Sequence, residues 1–225
     1  MKRIVAGFAV TLALALPAAA STIVVNGSFE SGVPGDALGN HNGSQYGAMP
    51  GYGGWDIWGE INGWKTVSGD GIEAQTDGTI GEVDAQDGQY YLEMDARGNS
   101  VMEQLVSLAK GSYLLSFWYS PRSADTATNG VDYSIGDLLG GGVTGPSERQ
   151  ATQVGLWTQF TSAFNVTTAG TYALRFGGTG TSDGYGGLID NVSIDVQPSE
   201  VPVPAAGLLL LAALGGLGAM RRRKA

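Results

Sequence analysis

The chain has 225 residues, a formal net charge of −9 at pH 7 and no cysteine. The missing cysteines exclude disulfides, thiol chemistry and cysteine-ligated zinc. The acidic excess repels phosphate backbones and anionic lipid, which argues against nucleic acid as a partner.

The first 20 residues have the pattern of a secretory signal peptide. Lys2 and Arg3 are positively charged, residues 4–16 are apolar, and residues 18–20 are three alanines that form a small-residue cleavage site. This order of charge, apolar run and small residues is typical of a segment that is removed after export. We therefore predict that residues 1–20 are a signal peptide and lie outside the fold.

Residues 21–197 are predicted to form one all-β sandwich domain. Residues 21–200 hold all 21 acidic residues and only six of the 12 lysines and arginines. The net charge of this region is therefore about −15. Polar and apolar residues alternate in short runs between glycine-rich or asparagine-rich turns, which is typical of strands. The runs are TIVV, GWKTV, GQYYLEM, SVMEQLVSL, SYLLSFWYS, VDYSI, WTQFTSAFNV, GTYALRFGG and LIDNVSIDV. We expect roughly eight to ten strands in a sandwich, with long loops over residues 31–60.

Aromatic side chains outside the predicted core are candidates for binding sugar. An exposed ring stacks on the apolar face of a pyranose, while polar groups fix the hydroxyls. Arg122 is able to donate two hydrogen bonds to a ligand, and pairing with Asp125 or Asp132 is equally compatible with its position. The candidate ligand-binding residues are Tyr46, Tyr52, Trp55, Trp58, Trp118 and Arg122. Each loop ring would alternatively pin its own glycine-rich loop, whereas Trp64 and Trp157 are expected in the core.

Few residues suit catalysis, so we predict that the protein is not an enzyme. His41 is the single histidine, which leaves little material for a catalytic triad or a histidine-ligated metal. Glycoside hydrolysis needs only two carboxylates, and Glu73, Glu93 and Asp95 are the candidates. Alternation in YYLEMD places Glu93 and Asp95 on the predicted solvent face, which favours a solvated surface over an active site.

The C-terminal 28 residues form a second ordered pattern. A proline-containing linker, residues 198–204, includes Val201, Pro202, Val203 and Pro204 and runs into Ala205. Residues 205–220 are apolar and would form a helix of roughly 24 Å, which is short for a hydrocarbon core of roughly 30 Å. Residues 221–225 are a basic tail that contains Arg221, Arg222 and Arg223 and would lie on the cytoplasmic side.

This ending resembles the PEP-CTERM, or VPxPA-type, sorting tail of Gram-negative bacteria. The resemblance rests on VPVPA, the apolar segment and RRRK in that order, and it covers residues 201–225. It implies transient insertion of the tail in the inner membrane, cleavage near the proline motif by an exosortase-type membrane protease, and transfer to the cell surface or extracellular matrix. An ordinary C-terminal membrane anchor is the alternative.

The middle of the chain resembles the DUF642-type, galactose-binding-domain-like jelly rolls, which are related in fold to carbohydrate-binding modules. The resemblance rests on five segments in order, from VNGSFESG near the start to GTGTSDGYGGLIDNVSIDV at the end. It implies that a strand beginning at Val24 lies beside the last strand, with Phe29, Ile189, Val192 and Ile194 in the core. The domain would bind carbohydrate.

The same resemblance implies a structural calcium ion. Its ligands would be Glu30, Asp87, the carbonyl of Gln89, and Asp190, which come from three distant segments. Calcium accepts six to eight oxygens in irregular geometry, so such a set suits it. Alternatively, Glu30 and Asp190 cap turns or pair with Lys65 or Arg97.

Two functional hypotheses follow. The first is an exported cell-surface or matrix protein that binds polysaccharide or cell-surface glycan without catalysis. The second is a structural or adhesive matrix protein that contacts other proteins and binds no sugar.

Overall fold

The computed structural model describes residues 23–31, 54–80, 83–122, 127–144 and 156–197. The predicted signal peptide and sorting tail lie outside these ranges, as do Tyr46 and Tyr52. Within them, no helix has the length and apolar character needed to cross a bilayer.

The described residues form twelve β-strands. In chain order these are β1 (Trp55–Trp58), β2 (Glu60–Ile61), β3 (Trp64–Ser68), β4 (Ile72–Thr76), β5 (Tyr90–Glu93), β6 (Val101–Leu108), β7 (Gly111–Ser120), β8 (Gly130–Ile135), β9 (Leu139–Val143), β10 (Thr158–Val166), β11 (Gly170–Thr179) and β12 (Leu188–Gln197). Eight of the nine predicted runs are strands, which confirms the all-β class. β1, β2, β4 and β9 were not among the predicted runs.

The strands build two six-stranded sheets in which every pairing is antiparallel. The first sheet has the order β1-β4-β5-β12-β7-β10, and the second has the order β2-β3-β6-β11-β8-β9. Neighbours in each sheet are mostly distant in the chain, so the sandwich depends on long-range pairing. This arrangement is consistent with the predicted jelly roll.

The core lies between the sheets and follows from the alternation in β7. Tyr113, Leu115, Phe117 and Tyr119 take alternate positions in the run SYLLSFWYS, and all four point inward and are buried. The Phe117 ring lies 5.1 Å from the ring of Phe176 and 5.2 Å from that of Tyr133. Because Phe176 and Tyr133 belong to β11 and β8 of the second sheet, Phe117 joins the two sheets at the centre.

The N-terminal segment closes the core, but it is not the strand predicted to begin at Val24. The backbone of Asn26 has a φ of +52° and that of Phe29 a φ of +61°, both left-handed values that interrupt an extended chain. The Asn26 side chain closes the turn through hydrogen bonds with the backbone of Ser31. The Val192 N–H donates to the Gly27 carbonyl at 2.8 Å, so the segment does lie beside the last strand.

Packing confirms the four residues predicted to fill this part of the core. Phe29, Ile189, Val192 and Ile194 are all buried. The ring of Phe29 lies 5.8 Å from that of Trp64 in β3 of the second sheet. A Cβ at Gly27 would lie 1.9 Å from the Val192 carbonyl oxygen, so glycine is required for this close approach.

Candidate ligand-binding site

A buried polar cluster lies on the outer face of the first sheet. Glu73 of β4 stands directly opposite Glu93 of β5, and Gln75 stands opposite Tyr91. The alternating neighbours Ala74 and Leu92 face the core between the sheets. The four residues therefore share the face that points away from the second sheet.

The prediction that Glu93 and Asp95 lie on a solvated face is wrong. Both are completely buried, and Glu73 is 3% exposed. Alternation separates a core face from the opposite face, but it does not show whether the opposite face is wet. In β5, Tyr91 and Glu93 on the outer side are buried as fully as Leu92 on the inner side.

Arg122 and Gln75 bind the two carboxylates of this cluster. The Arg122 guanidinium donates to both oxygens of Glu93 and, at 2.9 Å, to the carbonyl of Gly184. The Gln75 amide donates to Glu73 at 2.7 Å and also to Glu93. The Gly186 N–H donates to Glu93 at 2.7 Å. Arg122 was a predicted ligand-binding residue, and its partner is Glu93, which lies 29 positions away in the chain.

Burial raises the pKa of both glutamates. The pKa of Glu93 rises to about 7, because desolvation outweighs the opposing effect of Arg122. The pKa of Glu73 rises well above its ordinary value through desolvation and the neighbouring charge of Glu93. One guanidinium thus faces two carboxyl groups that resist being charged together.

The loop between β11 and β12 places Tyr185 beside this cluster. The Tyr185 ring is 51% exposed, and the guanidinium carbon of Arg122 lies 4.5 Å from its centroid. Asp95 anchors the loop, since one of its oxygens accepts the N–H groups of Asp183 at 2.9 Å and Gly184 at 3.1 Å. Tyr185 is consequently an exposed aromatic ring on a fixed support. The sequence analysis missed it, although an aromatic residue within the turn SDGYGG is a signal for such a platform.

The other predicted aromatic ligand residues separate into distinct positions. Trp118 is half-buried on the outer face of the first sheet, opposite Gln159 and Asp190, as its alternation predicted. Trp55 is opposite Gln75 in register and is half-buried, and its ring packs against the main core. Trp58 was predicted to be a loop ring but belongs to β1 and is completely buried, so it is excluded as a ligand platform.

Of the two tryptophans expected in the core, Trp64 lies in it and Trp157 does not. Trp64 begins β3 and is buried in the main core, as predicted. Trp157 is half-buried and packs on the outer face of the first sheet, where its ring lies 5.8 Å from that of Tyr91. The Trp157 indole N–H donates to the carbonyl of Asp84 at 2.8 Å. Trp157 therefore covers the apolar patch next to the polar cluster.

The residues of the predicted calcium site do converge on one loop. One oxygen of Glu30 accepts the N–H groups of Gln89 and Tyr90, both at 2.9 Å. One oxygen of Asp190 accepts the N–H groups of Gln86 at 2.8 Å and Asp87 at 2.9 Å. Both carboxylates therefore cap the loop before β5, which matches the turn-capping alternative. The carbonyl of Gln89 accepts the N–H of Asp77 at 3.2 Å.

The donor set at this loop suits a hard cation only in part. Burial raises the pKa of Asp190 to about 8, and the charge of Glu30 adds to this rise, whereas the backbone N–H groups of Gln86, Asp87 and Asn191 oppose it. Burial also raises the pKa of Glu30. Among the described residues, however, no group of three or more acidic or histidine side chains is arranged to hold a metal ion. Asp87 contributes its backbone N–H rather than its carboxylate to the observed contacts.

Comparisons with known proteins give similarity in structure alone. No family model matches the chain, and no curated protein matches it. TmCBM61 in complex with β-1,4-galactotriose is similar with a TM-score of 0.45 and 15% identity, over 79% of this chain and 100% of that chain. A cleaved adhesin domain of Lys-gingipain from Porphyromonas gingivalis has a TM-score of 0.43 and 18% identity, over 60% of this chain and 92% of that one.

A third similar structure is CBM35 from Paenibacillus barcinonensis, with a TM-score of 0.39 and 18% identity, over 60% of this chain and 94% of that chain. Similarity at this level concerns the arrangement of strands and does not identify a ligand of this chain. The class that the strands define is an all-β protein of two antiparallel sheets.

Proposed function

We propose that this protein binds polysaccharide without catalysis, on the outer face of the first sheet beside Tyr185. The observation that carries the proposal is the exposed Tyr185 ring. The guanidinium of Arg122 lies over this ring, and Asp95 anchors the loop that bears it. A fixed ring loses little entropy when a pyranose stacks on it. Trp118 and the polar cluster lie on the same sheet face.

The charges near Tyr185 favour a neutral sugar. Arg122 is paired with Glu93, and Glu73 stands opposite Glu93, so a uronic acid or a sulfated sugar would add a further negative charge to an acidic region. The hydroxyl groups of a neutral sugar both donate and accept hydrogen bonds. They are therefore compatible with the carbonyls and amides of the loop.

The engagement of Glu93 supports binding over hydrolysis. One of its oxygens accepts from Gly186 and Arg122, and the other accepts from Gln75 and Arg122. A catalytic acid or nucleophile needs an oxygen that reaches the substrate. Both oxygens of Glu93 are already used, and the residue is completely buried.

Replacing Tyr185 with alanine should weaken polysaccharide retention at least tenfold, about 1.4 kcal/mol, with little change in stability because the ring is exposed. The measurement is binding to an array of neutral polysaccharides, followed by affinity electrophoresis on those that bind. Leu105→Ala is the matched control, since Leu105 is 60% exposed on the second sheet. Unchanged retention in Tyr185→Ala, or an array without any binding, would favour the structural or adhesive role instead.

We also propose that calcium binds the loop before β5, with Glu30, Asp87, the Gln89 carbonyl and Asp190 as its ligands. The support is the convergence of Glu30 and Asp190 and the raised pKa of both. Calcium at 100 times its dissociation constant should stabilise the fold by about 2.7 kcal/mol. Thermal melting with and without calcium measures this, and no shift would argue for the capping role alone.

The metal-free protein should lose stability as the pH rises. The pKa of Asp190 in the fold is about 8, above its ordinary value of 3.8, so the folded protein holds a proton that the unfolded chain releases. This contribution is complete below the lower value and is lost as the pH rises through the upper one. Denaturant unfolding in a chelator at several pH values should show the decline.

The variant Asp190→Asn should reduce this pH dependence. Part of it should persist, because Glu93 titrates in the same direction with a pKa of about 7. Equal slopes in the wild type and the variant would contradict the assignment of Asp190.

For location, we propose export from a Gram-negative cell, transient insertion of residues 205–220 in the inner membrane, and release by an exosortase-type protease to the surface or matrix. The support is the order of the two terminal sequence patterns. Mass spectrometry of surface material should recover a C-terminus near the VPVPA motif. Recovery of peptides through Ala225 would indicate a permanent anchor.

A further inference from the structure

β10 forms an open edge of the first sheet. In the described ranges it pairs with β7 alone, in an unbroken register from Thr158 to Val166. The other sheet edges there are β1, β2 and β9, which have four, two and five residues, whereas β10 has nine. An edge strand presents unpaired N–H and C=O groups along its outer side. Within the part of the chain that the structure describes, β10 is therefore the longest template for pairing with another strand.

β10 lacks the devices that usually protect an edge strand from such pairing. These devices are charged side chains, prolines and bulges. The sequence of β10, TQFTSAFNV, has no charged residue and no proline, and its register with β7 has no bulge. By contrast, β1 carries Asp56 and β2 carries Glu60. The sequence of β10 is thus suited to contact with a further strand.

The first sheet is also uncharged near this edge. Neither β7 nor β10 has an acidic or basic residue, although residues 21–200 carry a net charge of about −15. Two copies of so acidic a protein repel each other wherever their carboxylates meet. A second copy that approaches along β10 does not place charges of the same sign opposite each other in these strands.

The sequence of β10 is self-complementary about Ser162. If two copies pair antiparallel about this residue, each side chain stands opposite one of the same kind. The pairs are two β-branched residues (Thr158 and Val166), two amides (Gln159 and Asn165), two phenylalanines (Phe160 and Phe164) and two small residues (Thr161 and Ala163). A contact across a two-fold axis requires this property, because the same patch faces itself.

The two faces of β10 also match in this register. Phe164 is buried in the core and Phe160 is half-buried against it, whereas Gln159 and Asn165 are exposed. Pairing about Ser162 places core-facing residues opposite core-facing residues and exposed residues opposite exposed ones. The core side and the outer side of the two sheets would therefore be continuous.

We propose that β10 pairs antiparallel with β10 of a second copy of this chain, which joins the two first sheets into one. Alternate residues of a strand direct their N–H and C=O groups to each side, so the pairing would form about eight to ten main-chain hydrogen bonds. Phe164 of the second copy would cover the exposed part of Phe160, and aromatic pairs across strands stabilise a sheet. One strand is a small interface, so we expect a dissociation constant in the micromolar range.

The antiparallel pairing determines how the two copies are oriented. β7 is antiparallel to both β10 and β12, so β12 runs parallel to β10. The β12 strands of two paired copies would therefore run in opposite directions, with each Gln197 at the opposite end of the dimer from the other. This orientation suits released copies, or copies on two facing surfaces, better than neighbours attached to one surface.

The test is sedimentation velocity on the protein purified after expression of the full chain, over concentrations that bracket the micromolar range. The wild type should change from monomer to dimer as its concentration rises. Thr161 and Ala163 are exposed, and replacing both with lysine should weaken dimerisation at least tenfold, because lysines from the two copies would meet at the two-fold axis. Replacing both with glutamate should have the same effect. An equimolar mixture of the two double variants should form a heterodimer, since each lysine then stands opposite a glutamate.

The matched control is the double variant Thr171→Lys, Ala173→Lys. These two residues have the same types and spacing, but they belong to β11, which lies between β6 and β8 in the second sheet. This variant should dimerise like the wild type, and thermal melting verifies that every variant folds. A wild type that is monomeric throughout, assembly beyond two copies, equal weakening by the control, or no association in the mixture would overturn the proposal. No polysaccharide enters these measurements, so their failure is distinct from failure of the proposed function.

Discussion

Arg122→Met should reduce the free energy of unfolding by about 3–5 kcal/mol near neutral pH, because it leaves Glu93 buried without its partner. Glu93 is completely buried, and the Arg122 side chain is 18% exposed, so solvent cannot replace the guanidinium. Denaturant unfolding at equilibrium measures the loss. The loss should shrink toward about pH 5, since the variant raises the pKa of Glu93 further and its carboxyl group is then neutral.

Two controls identify the cause. Arg122→Met combined with Glu93→Gln should recover much of the loss, because the buried charge is gone. Lys65→Met should cost less than about 1 kcal/mol, because Lys65 is exposed in its ion pair with Glu103. If Arg122→Met alone cost no more than Lys65→Met, the guanidinium would not be compensating a buried carboxylate.

Phe29→Ala should cost about 3–5 kcal/mol, the usual range for deleting a buried phenylalanine ring. Phe29 is completely buried against Trp64, although it lies in a turn rather than in a strand. Equilibrium unfolding measures the cost. Val25→Ala provides the comparison from the same segment, because Val25 is 49% exposed and should cost within about 0.5 kcal/mol. Similar small losses for both variants would mean that the N-terminal segment does not belong to the cooperative core.

The strands could be predicted wherever the residues that face the core are apolar and the residues between them are polar. In β7 and β8, alternation identified the inward residues correctly, including Phe117 and Val131. It failed in β5, where Glu93 is polar and still buried on the outer face, and it did not predict β4, where Gln75 is buried on the same face. A period of two residues indicates that the two faces of a strand differ in polarity, but both faces of this part of the first sheet are buried.

The sequence predicted individual residues of the candidate site but not the contacts between them. Trp118 and Arg122 were identified from alternation and chemistry, and both lie on or beside the outer face of the first sheet. The pairing of Arg122 with Glu93 and the support of Tyr185 by Asp95 join segments far apart in the chain. No local pattern contains such contacts, because antiparallel neighbours in this sandwich come from distant segments. Trp58 was misassigned for a similar reason, since its glycine-rich surroundings conceal a short edge strand.

The last strand separates the Tyr185 loop from the ends of the described chain. β12 begins at Leu188, next to the Tyr185 loop, and runs ten residues to Gln197, a length of about 30 Å. At its far end, Ile194 and Asp195 line a groove together with Ile23, where the described chain begins. Both ends of the described chain therefore lie at one pole of the sandwich, and the aromatic ring lies at the other. A tether at either end would attach the domain to a surface through one pole, and the aromatic ring would lie at the pole farthest from that surface.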